Sequence, residues 1–131
     1  MSLESLVPVS EEAISSLLIQ PKQVIGKNIR IFSEQNGFPE LEGCSIAIIG
    51  VSEIRNTFFP TSQYKTLDFR KCFYKLFPGN WNFNICDLGD LPNGATAEDT
   101  YFALSEICLC LRQLNVIPVS YTHLTLPTKL A

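Results

Sequence analysis

The stretch SIAIIGV at positions 45–51 is a continuous apolar run rich in Ile and Val. Such a run suits a strand covered on both faces, as in a parallel sheet flanked by helices. We take it as the first core strand. Downstream, LDFRKCFYKLF sets Leu67, Lys71, Tyr74 and Leu76 beside Phe69, Cys72, Phe73 and Phe77. That spacing predicts a crossover helix, which Pro78-Gly79 ends. FNICDLG is the second strand. After the polar DLPNGAT, Thr96 is placed to cap a long helix reaching about Asn115, with Glu98 and Asp99 favourable in its first turn. Its apolar stripe is Tyr101, Leu104, Cys108 and Leu111 with Ile107 and Leu114. VIPV at Val116–Val119 then opens a third strand. Strand, helix, strand, helix, strand predicts an α/β domain, a mostly parallel three-layer α/β/α arrangement with right-handed crossovers. About three strands are few for such a sheet, so the fold is expected to be partial.

Residues 1–43 are expected to be a lead-in. Ser10 is placed to cap a short helix through about Ile19, Asn36-Gly37 and Pro39 signal a turn, and Ile29 and Ile31 suit a short edge strand. A chain of 131 residues with 46% hydrophobic and 18% charged residues has the composition of one globular domain. The net charge of −3 leaves no basic stripe for nucleic acid. No apolar run suggests a membrane span, and the start MSLESLVPVSEE does not read as a secretory signal. The expected compartment is the cytoplasm. Cys44, Cys72, Cys86, Cys108 and Cys110 show no zinc or redox spacing and read as reduced core thiols.

Residues Val119 to Thr128, VSYTHLTLPT, resemble the translation of an adapter used in transposase-based sequencing libraries. The competing reading is a native β-strand, since Tyr, Thr and Leu favour strands. On the adapter reading the tail 119–131 is not native, packs poorly, and the authentic sequence stops near Pro118. His123, the sole histidine, is then discarded as a metal ligand or general base.

Three segments, GKNIRIFSEQNGFPELEGCSIAIIGVSEIRN, RKCFYKLFPGNWNFNICDLGDL and EDTYFALSEICLCLRQLNVIPV, resemble bacterial formiminoglutamase-like members of the arginase, or ureohydrolase, superfamily. The likeness spans residues 26–118, with 44–118 as the amino-terminal part of the arginase-like domain. It implies a parent that hydrolyses a non-peptide C–N bond of a guanidino or formimino substrate. Two manganese ions would activate water there, and the parent could be a homo-oligomer. The ligands in that family follow the strand that starts at Val116, so the resemblance implies no metal ligand, no catalytic residue and no cofactor within residues 1–118. The chain is therefore expected to be inactive as given, marginally stable and prone to associate.

Two pairs of charged residues need weighing. Asp87 and Asp90 sit at the carboxyl end of the second strand, where α/β sheets place functional groups. Their plainer role is to shape the turn by accepting backbone N–H bonds, and we favour it. In VSEIRN, Glu53 and Arg55 could orient substrate, but an ion pair or plain solvation is favoured. The stretch FFPTSQYKTLDF departs from the family's glycine-rich substrate loop. Two other classes compete: a nucleotide-binding module, which would need a glycine-rich turn that IIGVSEIRN lacks, and a non-catalytic interaction domain.

Overall fold

The computed structural model describes residues 2–55, 66–80 and 84–121. The apolar run folds as β2 (Ile46–Val51), flanked by β3 (Ile85–Leu91) and β4 (Ile117–Tyr121), with β1 (Arg30–Ile31) as a short edge strand. Among the described residues the sheet has four strands in the order β1-β3-β2-β4, and every neighbouring pair is parallel. The chain is thus an α/β domain. Among the described residues no helix is long and apolar enough to cross a membrane.

Alternate residues of β2 serve different helices, as the period of two requires. Ala47, Ile49 and Val51 cluster with Cys86, Leu88 and Leu91 and with Ile107 and Leu111 of helix α3 (Ala97–Gln113). Ile48 and Ile85 cluster instead with Phe69 and Phe73 of helix α2 (Thr66–Tyr74). Each face of β2 therefore receives one helix, which is why its sequence is apolar on both.

Helix α3 begins where the cap was expected: the Thr96 hydroxyl accepts from the Asp99 N–H at 3.1 Å. It ends at Gln113, slightly earlier than Asn115. Asn115 adopts φ 62° and its N–H donates to Arg112 O, while Val116 N–H donates to Leu111 O. This paired ending satisfies two terminal carbonyls and brings Val116 onto Leu111 in the core. The buried face is Ala97, Thr100, Ile107 and Leu111; Leu114, expected on the stripe, is exposed.

Helix α2 is shorter than expected. It ends at Tyr74, and Leu76 and Phe77 are exposed. Its buried residues are Thr66, Arg70 and Tyr74, spaced one turn apart, rather than the phenylalanines and Cys72.

The lead-in contributes directly to the core. Leu6 joins the cluster beneath α3, and Val9, Ala13, Leu17 and Val24 enclose Tyr74. Ser10 caps α1 (Glu11–Ser15) through the Ala13 N–H, and a tighter turn carries the chain through Ser16–Ile19. Val7 exchanges two backbone hydrogen bonds with Asp90, extending the sheet beyond the end of β1.

The expectation of poor packing from Val119 onward is corrected for Tyr121, whereas Val119 and Ser120 are exposed. All five residues of β4 pair with β2, and Tyr121 is buried. Its ring stacks on Phe69 with centroids 3.7 Å apart, and the Arg70 guanidinium carbon lies 5.3 Å from its centroid. His123 and the rest of 122–131 lie outside the described residues. The outer edge of β4 is blunted. Ile117 N–H donates to Ser45 O, so alternation turns Pro118 outward, where it offers no N–H to a further strand.

Replacing Tyr121 with Ala should destabilise the domain by about 3 kcal/mol, the range for removing a buried aromatic ring. Urea denaturation measures this, and a loss below about 0.5 kcal/mol would place Tyr121 outside the core.

Candidate functional site

Parallel sheets gather their functional groups at the carboxyl ends of the strands. Here two ion clusters occupy that rim, one on each face of the sheet. The first is built on a break in the β3 ladder. Ile48 pairs with Asp87 and Gly50 with Asp90, so Ile49 alone spans Leu88 and Gly89. In a regular strand, residues three apart face opposite sides. This bulge resets the alternation, so that Asp87 and Asp90 both face α2 while Leu88 and Leu91 both face α3. Gly89 is required at φ 83°, since a Cβ there would collide with the Val7 carbonyl oxygen.

Arg70 fills the space so made, with 1% of its side chain exposed. Its Nε and Nη2 donate to the two oxygens of Asp87, each at 2.8 Å, and its Nη1 donates to Asp90 Oδ1 at 2.7 Å. Nη2 also donates to Gly89 O at 2.9 Å. The Tyr74 hydroxyl donates to Asp87 Oδ2 at 2.6 Å, and the Thr66 hydroxyl to Asp90 Oδ2 at 3.0 Å. Burial works against the Arg70 charge, but the hydrogen bonds and charge of Asp87 more than offset it and hold the guanidinium protonated. Burial, then the Asp87 charge, pushes the Tyr74 phenol above its ordinary range. Gly50 leaves room for the cluster: a Cβ on it would strike the Asp90 carboxylate.

The turn-shaping role expected for Asp87 and Asp90 is therefore a minor part of their work. Only the Gly89 N–H, 3.1 Å from Asp87 Oδ1, fits it. Their main partners are Arg70, Tyr74 and Thr66, which the sequence reading did not single out. The available signals were the one-turn spacing of those three residues and a glycine inside a strand.

The second cluster bears out the ion pair at Glu53 and Arg55. Arg55 Nε and Nη2 grip Glu53 at 2.8 and 2.6 Å, and the Arg55 backbone N–H adds a third bond at 2.9 Å. The same guanidinium donates to Ala95 O and Gly94 O, and Thr100 Oγ1 donates to Glu53 at 2.8 Å. The loop after β2 is thereby tied to the start of α3. Glu53 is buried, while 41% of the Arg55 side chain is exposed. The Arg55 side-chain hydrogen bonds outweigh burial and lower the Glu53 pKa to about 2.

Glu53, Asp87 and Asp90 are thus each engaged by a guanidinium group, and they do not fit a pair of divalent cations. Among the described residues no group of three or more His, Cys, Asp or Glu is placed to hold a metal ion. The cysteines are free, but only Cys44 and Cys86 are buried; Cys72 is exposed, and Cys108 and Cys110 are half-buried, which corrects their reading as core thiols. Burial, then the neighbouring Cys44 thiol, pushes Cys86 up to about 12, so it is a poor nucleophile.

Arg70→Met should destabilise by about 3–5 kcal/mol, because Asp87 would be left buried without its counter-charge. The double variant Arg70→Met/Asp87→Asn should recover part of that loss, and strictly additive effects in chemical denaturation would show that the pair is not coupled. A second expectation concerns pH. The folded Glu53 pKa lies below its ordinary 4.5, so its contribution is present above that value and is lost as pH falls from about 4.5 toward about 2. Glu53→Gln should flatten the loss of stability over that window, and an unchanged acid profile would contradict the assignment.

Comparison with family models, curated proteins and solved structures yields no match.

Proposed function

We propose that the chain is the scaffold part of a ureohydrolase-type enzyme, one whose parent cleaves a C–N bond of a guanidino or formimino substrate with two manganese ions. The chief structural support is a parallel sheet whose central strands end in braced polar loops, the rim from which α/β enzymes present their chemistry. The resemblance of GKNIRIF…EIRN and EDTYFALSEICLCLRQLNVIPV to formiminoglutamase-like proteins supplies the reaction class. On this reading Asp87, Asp90 and Glu53 brace the rim, and the manganese ligands come from segments that follow β4 in the parent. The bound ions would supply an activated water. Among the described residues, Arg55, partly exposed on the rim, is the one best placed to help orient substrate.

A second reading, an interaction domain, is favoured by the exposed Ile117 and Val119 on β4. Activity separates the two. The chain as given should release neither urea nor formamide from arginine, agmatine or formiminoglutamate in the presence of manganese. The gene product extended through its genomic continuation beyond codon 118 should release one of them. An extended protein that binds no manganese and turns over none of the three would overturn the hydrolase reading.

A further inference from the structure

We propose that Asn36 is a site of spontaneous deamidation, and that the Arg55–Glu53–Thr100 cluster shields the other Asn-Gly step of the chain from the same reaction. The two steps are Asn36-Gly37 and Asn93-Gly94. In this dipeptide the glycine, having no side chain, lets its backbone nitrogen reach the asparagine Cγ. The glycine N–H gives its proton to solvent base as the new C–N bond forms. The Cγ–Nδ2 bond then breaks, and its nitrogen takes up a proton and leaves as ammonia. Water opens the resulting cyclic imide at one of its two C–N bonds. Opening at the side-chain carbonyl gives aspartate. Opening at the main-chain carbonyl gives isoaspartate, with the backbone rerouted through the side chain. Water is the only co-reactant, and nothing is oxidised or reduced.

Both asparagines are exposed, so the glycines decide which step reacts. Gly37 N–H donates to Ser33 O at 2.8 Å, a local bond within a turn whose Glu34, Gln35 and Asn36 are all exposed. Space around Gly37 is open: a Cβ built there meets nothing within 4 Å. Opening the turn costs this bond and the Asn36 N–H bond to Ser33 Oγ at 3.1 Å. The loop beyond stays anchored where Arg30 Nη1 donates to Glu40 O and Glu42 O.

Gly94 is held from several sides. Its N–H donates to Thr100 Oγ1 at 2.8 Å, its carbonyl accepts from Arg55 Nη2 at 2.8 Å, and a Cβ on it would lie 2.7 Å from that of Asp99. Thr100 is fully buried and in turn donates to Glu53. For Gly94 to attack Asn93, its nitrogen must leave Thr100 while Arg55 clamps its carbonyl. The loop after β2 and the first turn of α3 must therefore loosen together. A backbone group released only by such a concerted opening reacts more slowly than one freed by a local turn.

This inference is independent of the hydrolase reading. The full chain is kept warm at mildly alkaline pH, sampled over days and digested, and mass spectrometry reads the replacement of NH2 by OH at each asparagine. Asn36 should convert at least tenfold faster than Asn93, with isoaspartate among its products. In concentrated urea, where neither glycine is held, the two rates should come within a few-fold of each other. Thr100→Val removes the acceptor of the Gly94 N–H. It should raise the Asn93 rate severalfold and leave the Asn36 rate unchanged, with circular dichroism checking that the variant keeps its helix content. If that variant does not fold, the rate ratio in native buffer against urea decides alone. Conversion of Asn93 as fast as Asn36 in the folded chain would overturn the proposal. So would an unmodified Asn36, a tenfold preference that survives in urea, or a folded Thr100→Val variant whose Asn93 stays as slow as before.

Discussion

One buried guanidinium organises this domain. An Arg side chain loses its hydration when it enters a core and is tolerated there only if nearly every N–H finds an acceptor. Arg70 meets that demand with two carboxylates and a backbone carbonyl. Each acceptor imposes a condition elsewhere. Asp90 reaches Arg70 only because β3 is bulged, and the bulge needs Gly89 at positive φ. The carboxylate of Asp90 needs Gly50 on the neighbouring strand. Val7 closes against the bulge and takes both backbone groups of Asp90, which ties the amino-terminal segment to the sheet. The Tyr121 ring then stacks on Phe69 and lies near the guanidinium, so the last strand is also held from this point.

These dependencies explain what the sequence disclosed. The strand at Ile46–Val51, the long helix with its Thr96 cap and the parallel topology follow from local patterns: an apolar run, a capping residue, a period near four. Those signals are carried by residues close together in the chain. The Asp87–Arg70–Asp90 cluster is not of that kind. The apolar spacing of the α2 segment predicted a helix but did not single out Arg70, which the structure buries. Only the pairing register shows that Asp87 and Asp90 share a face, and register is a property of two strands. Tyr121 was missed for another reason: the likeness of its segment to a translated adapter outweighed a strand propensity that the sheet then used. The Glu53–Arg55 pair was legible because its partners are two residues apart.

The two clusters divide the rim between the faces of the sheet. Arg70, Asp87 and Asp90 lie toward α2, whereas Glu53, Arg55 and Thr100 lie toward the start of α3. In both, a carboxylate is satisfied twice over, once by a guanidinium and once by a hydroxyl. Such carboxylates are poor metal ligands, because coordinating them would strip a guanidinium of its counter-charge. Their chemical value is to hold loop and helix ends in fixed positions. On the proposed reading, that is what a dinuclear hydrolase would ask of its first strands: a rigid rim against which later ligands are set.

The unequal burial of the two pairs separates their roles further. Arg55 is 41% exposed, so water screens its charge, although the Glu53 carboxylate that it grips is buried. Arg70 is enclosed, and an apolar substitute for the whole cluster could match its stability. What an apolar substitute could not do is choose a register. Leucines at positions 87 and 90 would be content with an unbulged strand, in which one of them turns to the opposite face. A guanidinium that must reach two carboxylates accepts only the arrangement that puts both within its span. The bulge, the glycine at its apex and the amino-terminal segment bridging to it are therefore best understood as consequences of that geometric demand. The cluster's main contribution is to make one strand register much better than its neighbours, rather than to add net stability.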